Sequence, residues 1–204
     1  MENGFLIGMR IFLRALEAKD AHTVVSWFHD PEVVQFVPGN FPLTTLTEEE
    51  AIQHLYKKKP PSEIVFGIVL KVDNSLVGVT GFDRIDWISR SARTSVLIGV
   101  KKYWNRGLGT EAKNLLLNFG FYQLNLHHLY TEILAYNERT IAACRKQGYK
   151  EGGKLREACF KNGSYHDILL MDLIREEWIQ FHKESITKET KDNKITEVEG
   201  LTTE

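Results

Sequence analysis

Only two cysteines, Cys144 and Cys159, occur in 204 residues. That excludes a disulfide framework, and their wide separation excludes a CxxC metal site, so two reduced thiols are expected. Long apolar runs are also missing. The longest stretches, such as EIVFGIVL, fall far short of the roughly 20 residues that a membrane-spanning helix needs. The opening MENGFLIGMRIF has no basic start, extended apolar region or small-residue cleavage site, so a cytoplasmic location without a membrane partner is the expectation. Nor is there an excess of one charge. Lys and Arg number 26 against 27 Asp and Glu, and a formal net charge of -1 gives no bulk attraction to nucleic acid.

What is present suffices for one core: 43% of the residues are hydrophobic, over a length that suits a single domain with a tail. The expected domain runs over residues 1–182. Residues 183–204, containing ESITKETKDNKITEVEGLTTE, are polar and lack aromatics, the composition of a poorly ordered tail.

Periodicity and turn signals order the elements. MRIFLRAL reads as a strand, and Asp20 is placed to cap a short helix over 21–28. Thr47 with Glu50 fits a capping box for a helix that holds Ile52 and Leu55, so the EEE run is helix-start charge. EIVFGIVLKV, LVGVTGF and TSVLIGV form an antiparallel meander. A long helix follows, with Leu108, Ala112, Leu115, Leu116, Phe119 and Tyr122 on one face. LYTEILAY is a strand, and Asn137 caps a helix that Gly148 closes. Two last strands, LREACFK and YHDILLMDLI, flank the turn Asn162-Gly163.

The stretch KKYWNRGLGTEA places two glycines between the meander and the long helix. Gly107-Leu108-Gly109-Thr110-Glu111-Ala112 satisfies the loose dinucleotide pattern GxGxxA. A dinucleotide site, however, has its glycine turn directly after a strand, with parallel crossover units to follow. Here KKYWN intervenes and an antiparallel meander precedes. The alternatives are a tight turn, or a loop whose bare N–H groups converge on a pyrophosphate at the helix N-terminus.

Around those glycines the chain resembles the GNAT N-acetyltransferases. Their signature Gln/Arg-x-x-Gly-x-Gly/Ala is occupied by Trp104-Asn105-Arg106-Gly107-Leu108-Gly109, with Trp104 departing at the first position. YWNRGLGTEA is similar to the "YWGKGYGTEA" type of the RimJ/RimL branch, as are IFLRALEAKDAHTVVSWFHDPEV, NLHHLYTEILAYNERTIAACRKQGY and NGSYHDILLMDLIREEW. The resemblance runs from residue 9 to about residue 180. It implies an α+β fold with a mostly antiparallel central sheet, splayed in the middle, and helices on both faces. It further implies that backbone groups near Ile98 and Val100 bind the pantetheine and acetyl carbonyl of acetyl-CoA. Asn105, Arg106, Gly107, Leu108, Gly109 and Thr110 would hold the pyrophosphate, and Asn137 would bond the pantetheine arm while also serving as a helix cap.

Acetyl transfer needs a neutral amine, donors for the developing oxyanion and help for the departing thiolate. Backbone N–H groups of residues 98 to 100 are candidates for the oxyanion. The family often places a Tyr proton donor seven residues after the Asn. Cys144 stands there, and Thr140 lies one turn earlier on the same helix face, so either becomes the candidate donor. Cys144 packed as a small buried hydrophobe is the alternative. A Glu often found near the start of the splayed strand is replaced by Arg93 and Thr94, which leaves Asp83 or Glu132, acting through water, as substitutes for a base.

Without an obvious base, an α-amine near pKa 7.7–8.0 is easier to deprotonate than a lysine-like amine by about 3.5 kcal/mol. The acceptor expected is therefore a protein or peptide α-amino terminus. A spermidine-type acceptor is the alternative, with Glu32, the EEE helix, Asp83 and Asp86 as candidate pocket carboxylates. A binding module that holds acetyl-CoA without turnover is the alternative of another class. His127-His128 is not expected to share a metal, His166 and Tyr165 are more readily structural than substrate-binding, and oligomeric state stays open, a homodimer included.

Overall fold

The computed structural model describes residues 4–39, 42–55, 57 and 59–182; the expected tail lies outside these. The described strands are β1 (Leu6–Ile7), β2 (Ile11–Ala15), β3 (Ile64–Leu70), β4 (Leu76–Asp86), β5 (Ser91–Ile98), β6 (His128–Leu134), β7 (Lys150–Lys161) and β8 (Ser164–Ile174). They form one sheet ordered β1-β2-β3-β4-β5-β6-β8-β7. All neighbours are antiparallel except β5 and β6, which run parallel and pair only over Ser91–Arg93 with His128–Tyr130. Beyond that point they part. The helices are α1 (Ala21–Phe28), α2 (Pro31–Val34), α3 (Thr45–Leu55), α4 (Leu108–Asn118) and α5 (Glu138–Lys146), with a further helical stretch over 175–182.

Two apolar layers hold the sheet. On one face α4 buries Leu108, Ala112, Leu116 and Leu117 against Ile11, Leu13, Ile68, Val77 and Phe82, and α5 adds Ile141. On the other, α1 places Val24 and Trp27 against Leu97 and Val79, and Ala21 meets Ile52 of α3. Trp27 reaches the sheet because Gly99 has no side chain: a Cβ there would lie 1.9 Å from the indole.

The expected element order and the meander are present. So is the Asn162-Gly163 turn, with φ of 51° and 81°, and Gly148 sits past α5 at φ 90°. Local details differ. A two-residue strand, β1, precedes the expected first strand and pairs back onto it. Asp20 flanks α1 without capping it: its carboxylate accepts instead from Arg14 (2.7 and 2.9 Å) and from Glu17 N–H (2.8 Å). The cap of α3 is Thr44, whose hydroxyl accepts from Thr47 N–H at 3.2 Å, one turn before the expected Thr47–Glu50 box. Asp30 caps the short α2, which the turn-like HDPE had not foretold. A π turn over Phe119–Gln123 rotates the end of the long helix, so Phe119 stays buried while Tyr122 is 54% exposed.

Two substitutions test this packing. Gly99→Ala should cost about 3 kcal/mol in a denaturant titration, because the new methyl displaces Trp27 from the sheet. Asp20→Asn breaks a buried ion pair and should cost about 3 kcal/mol. Burial works against the Asp20 carboxylate, but Arg14 and the Glu17 amide outweigh it and hold its pKa below the ordinary value. Its contribution is therefore present above the unfolded value and lost as pH falls through the folded one, so Asp20→Asn should flatten the acid limb of the stability profile.

Candidate active site

The divergence of β5 from β6 opens a gap, and the residues at its vertex fix where it starts. Arg93 is the last β5 residue paired to β6. On the α1 side of the sheet its guanidinium bonds Asp83 of β4 (2.7 and 3.1 Å) and Glu132 of β6 (2.5 Å). On the α4 side the next residue, Thr94, donates its hydroxyl to Tyr130 O at 3.0 Å. The three strands are stapled from both faces where they part.

Past the vertex the main chain of β5 is turned towards the gap at alternate residues. Gly99 N–H bonds Val77 O at 2.9 Å, so strand alternation directs the amides of Val96 and Ile98 away from β4. Val100 N–H also goes to Val77 O, at 3.3 Å, and its carbonyl accepts from Tyr103 N–H. The stretch 98–100 thus offers the gap one amide N–H, that of Ile98, where three were expected. Ile98 O accepts the Trp104 indole N–H at 2.7 Å, which is how the departing first residue of the signature is used.

The glycine loop closes one end. Asn105 and Gly107 both have left-handed backbones, with φ of 59° and 75°, and Gly107 is the N-cap of α4. A side chain is disfavoured at such a φ, which is what glycine supplies. Glu111 N–H makes the first intrahelical bond, to Gly107 O, so the preceding N–H groups of Leu108, Gly109 and Thr110 have no helical acceptor. Such a loop at a helix N-terminus suits a phosphate. The Arg106 carbonyl accepts from Arg10 at 2.7 Å, while Arg10 also pairs with Glu111 at 2.8 Å. Arg139 lies beside the loop: the guanidinium sits 5.4 Å over the Trp104 ring and 3.4 Å from Asn105 Oδ1.

One cavity of about 570 Å³ joins these parts and passes through the sheet at the gap. Its α4 side is lined by the loop from Asn105 to Thr110 without Arg106, by Ile98, and by Asn137, Thr140 and Cys144 of the α5 region. Val100 is not among the lining residues. Asn137 Oδ1 accepts from Thr140 N–H at 3.2 Å, so it caps α5 while its buried amide faces the cavity. Burial pushes the Cys144 thiol up, with Lys113 opposing, so it remains an S–H at neutral pH. The α1 side of the cavity is lined by Phe28, Glu32, Phe36, Arg93 and Asp83.

Sequence periodicity had missed Lys113. It is 3% exposed, lines the cavity, and donates from Nζ to Thr94 Oγ1 at 2.6 Å. Desolvation lowers its pKa to about 8. Tyr149 O–H meets the same oxygen at 3.0 Å, and burial raises the phenol strongly. The available signal was position: Lys113 stands three and four residues before the buried Leu116 and Leu117, on the apolar face. Gln147, also overlooked, is buried and bonds Asn114 and Thr110 O, which locks α5 to α4.

Other candidates are engaged elsewhere. Asp86 accepts from Ile88 and Ser89 N–H in a turn, and the EEE residues do not line the cavity. His127 lies 3.5 Å from Glu176 and His128 3.3 Å from Asp172, two separate partners. His166 bonds Ser164 and Lys161 O and packs on Tyr136, and Tyr165 is exposed against Phe160. Among the described residues there is no cluster of three or more possible metal ligands, and no helix is long and apolar enough to cross a membrane.

Comparison with known proteins agrees with this geometry. The family model described as "Acetyltransferase (GNAT) domain" matches residues 10–150. The spermidine N(1)-acetyltransferase of Escherichia coli strain K12 is 28% identical over 171 residues, covering 84% of this chain and 89% of that protein. The uncharacterized N-acetyltransferase p20 of Bacillus licheniformis is 25% identical over 171 residues, covering 83% of this chain and 95% of p20. The spermidine N-acetyltransferase from Vibrio cholerae, solved in complex with CoA and spermine, has a TM-score of 0.75 at 24% identity, covering 83% of this chain and 98% of that one. The matched model spans the meander, the vertex, the glycine loop and the helices on either side of the gap, and the chain therefore belongs to the GNAT acetyltransferase family, an acyltransferase with acetyl-CoA as its cosubstrate.

Proposed function

We propose that the enzyme acetylates a protein or peptide α-amino terminus, in the manner of the RimJ/RimL type, by direct attack within a ternary complex. Acetyl-CoA enters from the α4 side. Its pyrophosphate takes the free N–H groups of Leu108, Gly109 and Thr110, with Arg139 beside them, and its pantetheine lies along β5 where Val96 and Ile98 present main-chain groups. Asn137 meets it from α5. The acceptor approaches from the α1 side of the sheet, past Phe36 and Arg93, and reaches the thioester through the gap.

The observation that carries the choice of acceptor is the clamp on Arg93. Asp83 and Glu132 bond it, Glu132 also takes Arg84 at 2.8 Å, and Glu32 lies 3.3 Å from Lys101. Asp83 and Glu132, the carboxylates at the vertex, are thus matched by Arg93 and Arg84, and Glu32 shares Lys101 with Asp30 at 2.9 Å, which leaves little unpaired charge at the gap to attract a polyamine. Neither Asp83 nor Glu132 is free to act as a base, so the amine must arrive neutral at low cost. An α-amine does so about 3.5 kcal/mol more easily than a lysine-like one. A polyamine acceptor is the second reading, supported by the spermidine N(1)-acetyltransferase relative.

Release of free thiol from acetyl-CoA, measured against peptides beginning in Ala, Ser or Met and against spermidine, decides between the two. Turnover of peptides above polyamines is expected; thiol release with polyamines alone would sink the α-amino reading. Arg139→Ala should raise the KM for acetyl-CoA about tenfold with kcat within twofold, as loss of one charge-assisted phosphate contact implies. An unchanged KM would remove Arg139 from the phosphate seat.

A further inference from the structure

A lysine amine buried in the wall of the cavity needs an explanation that packing does not supply. Lys113 rises from α4 into the vertex of the gap, where its one protein hydrogen bond among the described residues is to Thr94 Oγ1. That oxygen is saturated: its proton goes to Tyr130 O and its lone pairs accept from Tyr149 and Lys113. Thr94 therefore anchors the Lys113 amine without neutralising it; the Tyr149 ring lies 5.7 Å from Nζ, Cys144 and Asp83 are close enough to act on its charge, and the amine lines the cavity. The acceptor side of the sheet, marked by Arg93, is opposite. Lys113 thus stands behind the carrier, away from the incoming amine.

We propose that Lys113 is a catalytic residue, with its ammonium placed against the sulfur of the bound thioester to stabilise and protonate the departing thiolate. The step balances without a further reagent. The acceptor nitrogen forms a C–N bond to the acetyl carbon, the C–S bond breaks with its electron pair going to sulfur, and an Nζ proton moves to sulfur to give CoASH. The proton lost by the acceptor nitrogen leaves to water, and Lys113 is reprotonated from water once the products depart. The amine titrates close to a free thiol, which has a pKa of about 8.5, the matching that favours proton transfer. Cys144, the position expected to donate, is ill suited because burial holds its proton more tightly.

This role rests on the carrier seat proposed above, and the test separates the two. Isothermal titration of the full chain with CoASH reports the seat. The ultraviolet absorbance of the thiolate, followed against pH with CoASH bound, reports Lys113 and needs no acceptor. The groups facing the amine are Cys144 from α5, Tyr149 beyond it and Asp83 from β4, with Thr94 from β5. A background with both Cys144→Ala and Cys159→Ala removes the two protein thiols that would overlap the signal.

In that background the bound CoA thiol should titrate below the free thiol, and in Lys113→Met at or above it, with the difference at least one unit. Where an acceptor is turned over, Lys113→Met should lower kcat about a hundredfold with acetyl-CoA KM within threefold, and remove the descending limb of the kcat profile above pH 8. Lys113→Gln serves if the Met variant does not fold, and the comparison of bound with free CoASH in the cysteine-free background stands without any substitution of Lys113. A bound thiol that titrates at or above the free value overturns the proposal. CoASH that does not bind overturns the seat and the role of Lys113 with it.

Discussion

The Thr94 hydroxyl is the constraint on which the cleft depends. Two parallel strands that begin in register would continue to pair unless something stops them, because each unmade backbone bond is costly when buried. Here Thr94 spends its proton on Tyr130 O, the carbonyl of the last paired residue of β6, and fills its lone pairs with Tyr149 and Lys113. A side chain on one strand thereby takes a bond that the ladder does not continue. Arg93 does the corresponding work on the opposite face, tying β4, β5 and β6 by ionic bonds. The vertex is thus tied on both faces, and beyond it the amides of Val96 and Ile98 point away from β4.

Charge is sorted along the cavity, and the proposed placement of acetyl-CoA follows it. The mouth carries helix N–H groups and Arg139, the middle offers neutral main chain, and the acceptor side holds carboxylates already bound to arginines. Phosphate, pantetheine and amine differ in charge in the same order. In the proposed reading, unpaired Asp83 and Glu132 would make that side favour cations and would put a carboxylate base near the amine. Arg93 pairs with both carboxylates through one side chain, and the proposed choice of acceptor rests on that pairing.

Much of the fold was legible because its signals are local. Asn137 caps α5, Gly148 closes it, Asn162-Gly163 turns the last hairpin, and the two glycines begin the long helix, each through the backbone conformation of one or two residues. What sequence did not yield depended on distant partners. Asp20 has the chemistry of a cap but a stronger partner in Arg14, six residues back on another element. The π turn after α4 depends on packing of Phe119 and Phe121 and left Tyr122 outside. Around the cavity, the glycine turn and the Asn137 cap were readable as local structure, whereas the bonds of Val100 N–H to Val77 O and of Arg10 to Arg106 O are contacts that no local pattern announces.

Lys113 shows the same limit most sharply, and also what the limit conceals. In sequence it is one more polar residue on an amphipathic helix, and only its spacing to Leu116 and Leu117 places it inward. Burying an ammonium is unfavourable, and desolvation lowers its pKa to about 8 for that reason. The unfolded chain therefore binds the proton more tightly than the folded one, so the cost to stability is full below the folded value and fades as pH rises towards the unfolded value. A core seeking stability alone would place a leucine or methionine there. A buried amine, kept near its point of proton exchange and anchored by a saturated hydroxyl, is instead poised to exchange a proton with whatever the gap receives.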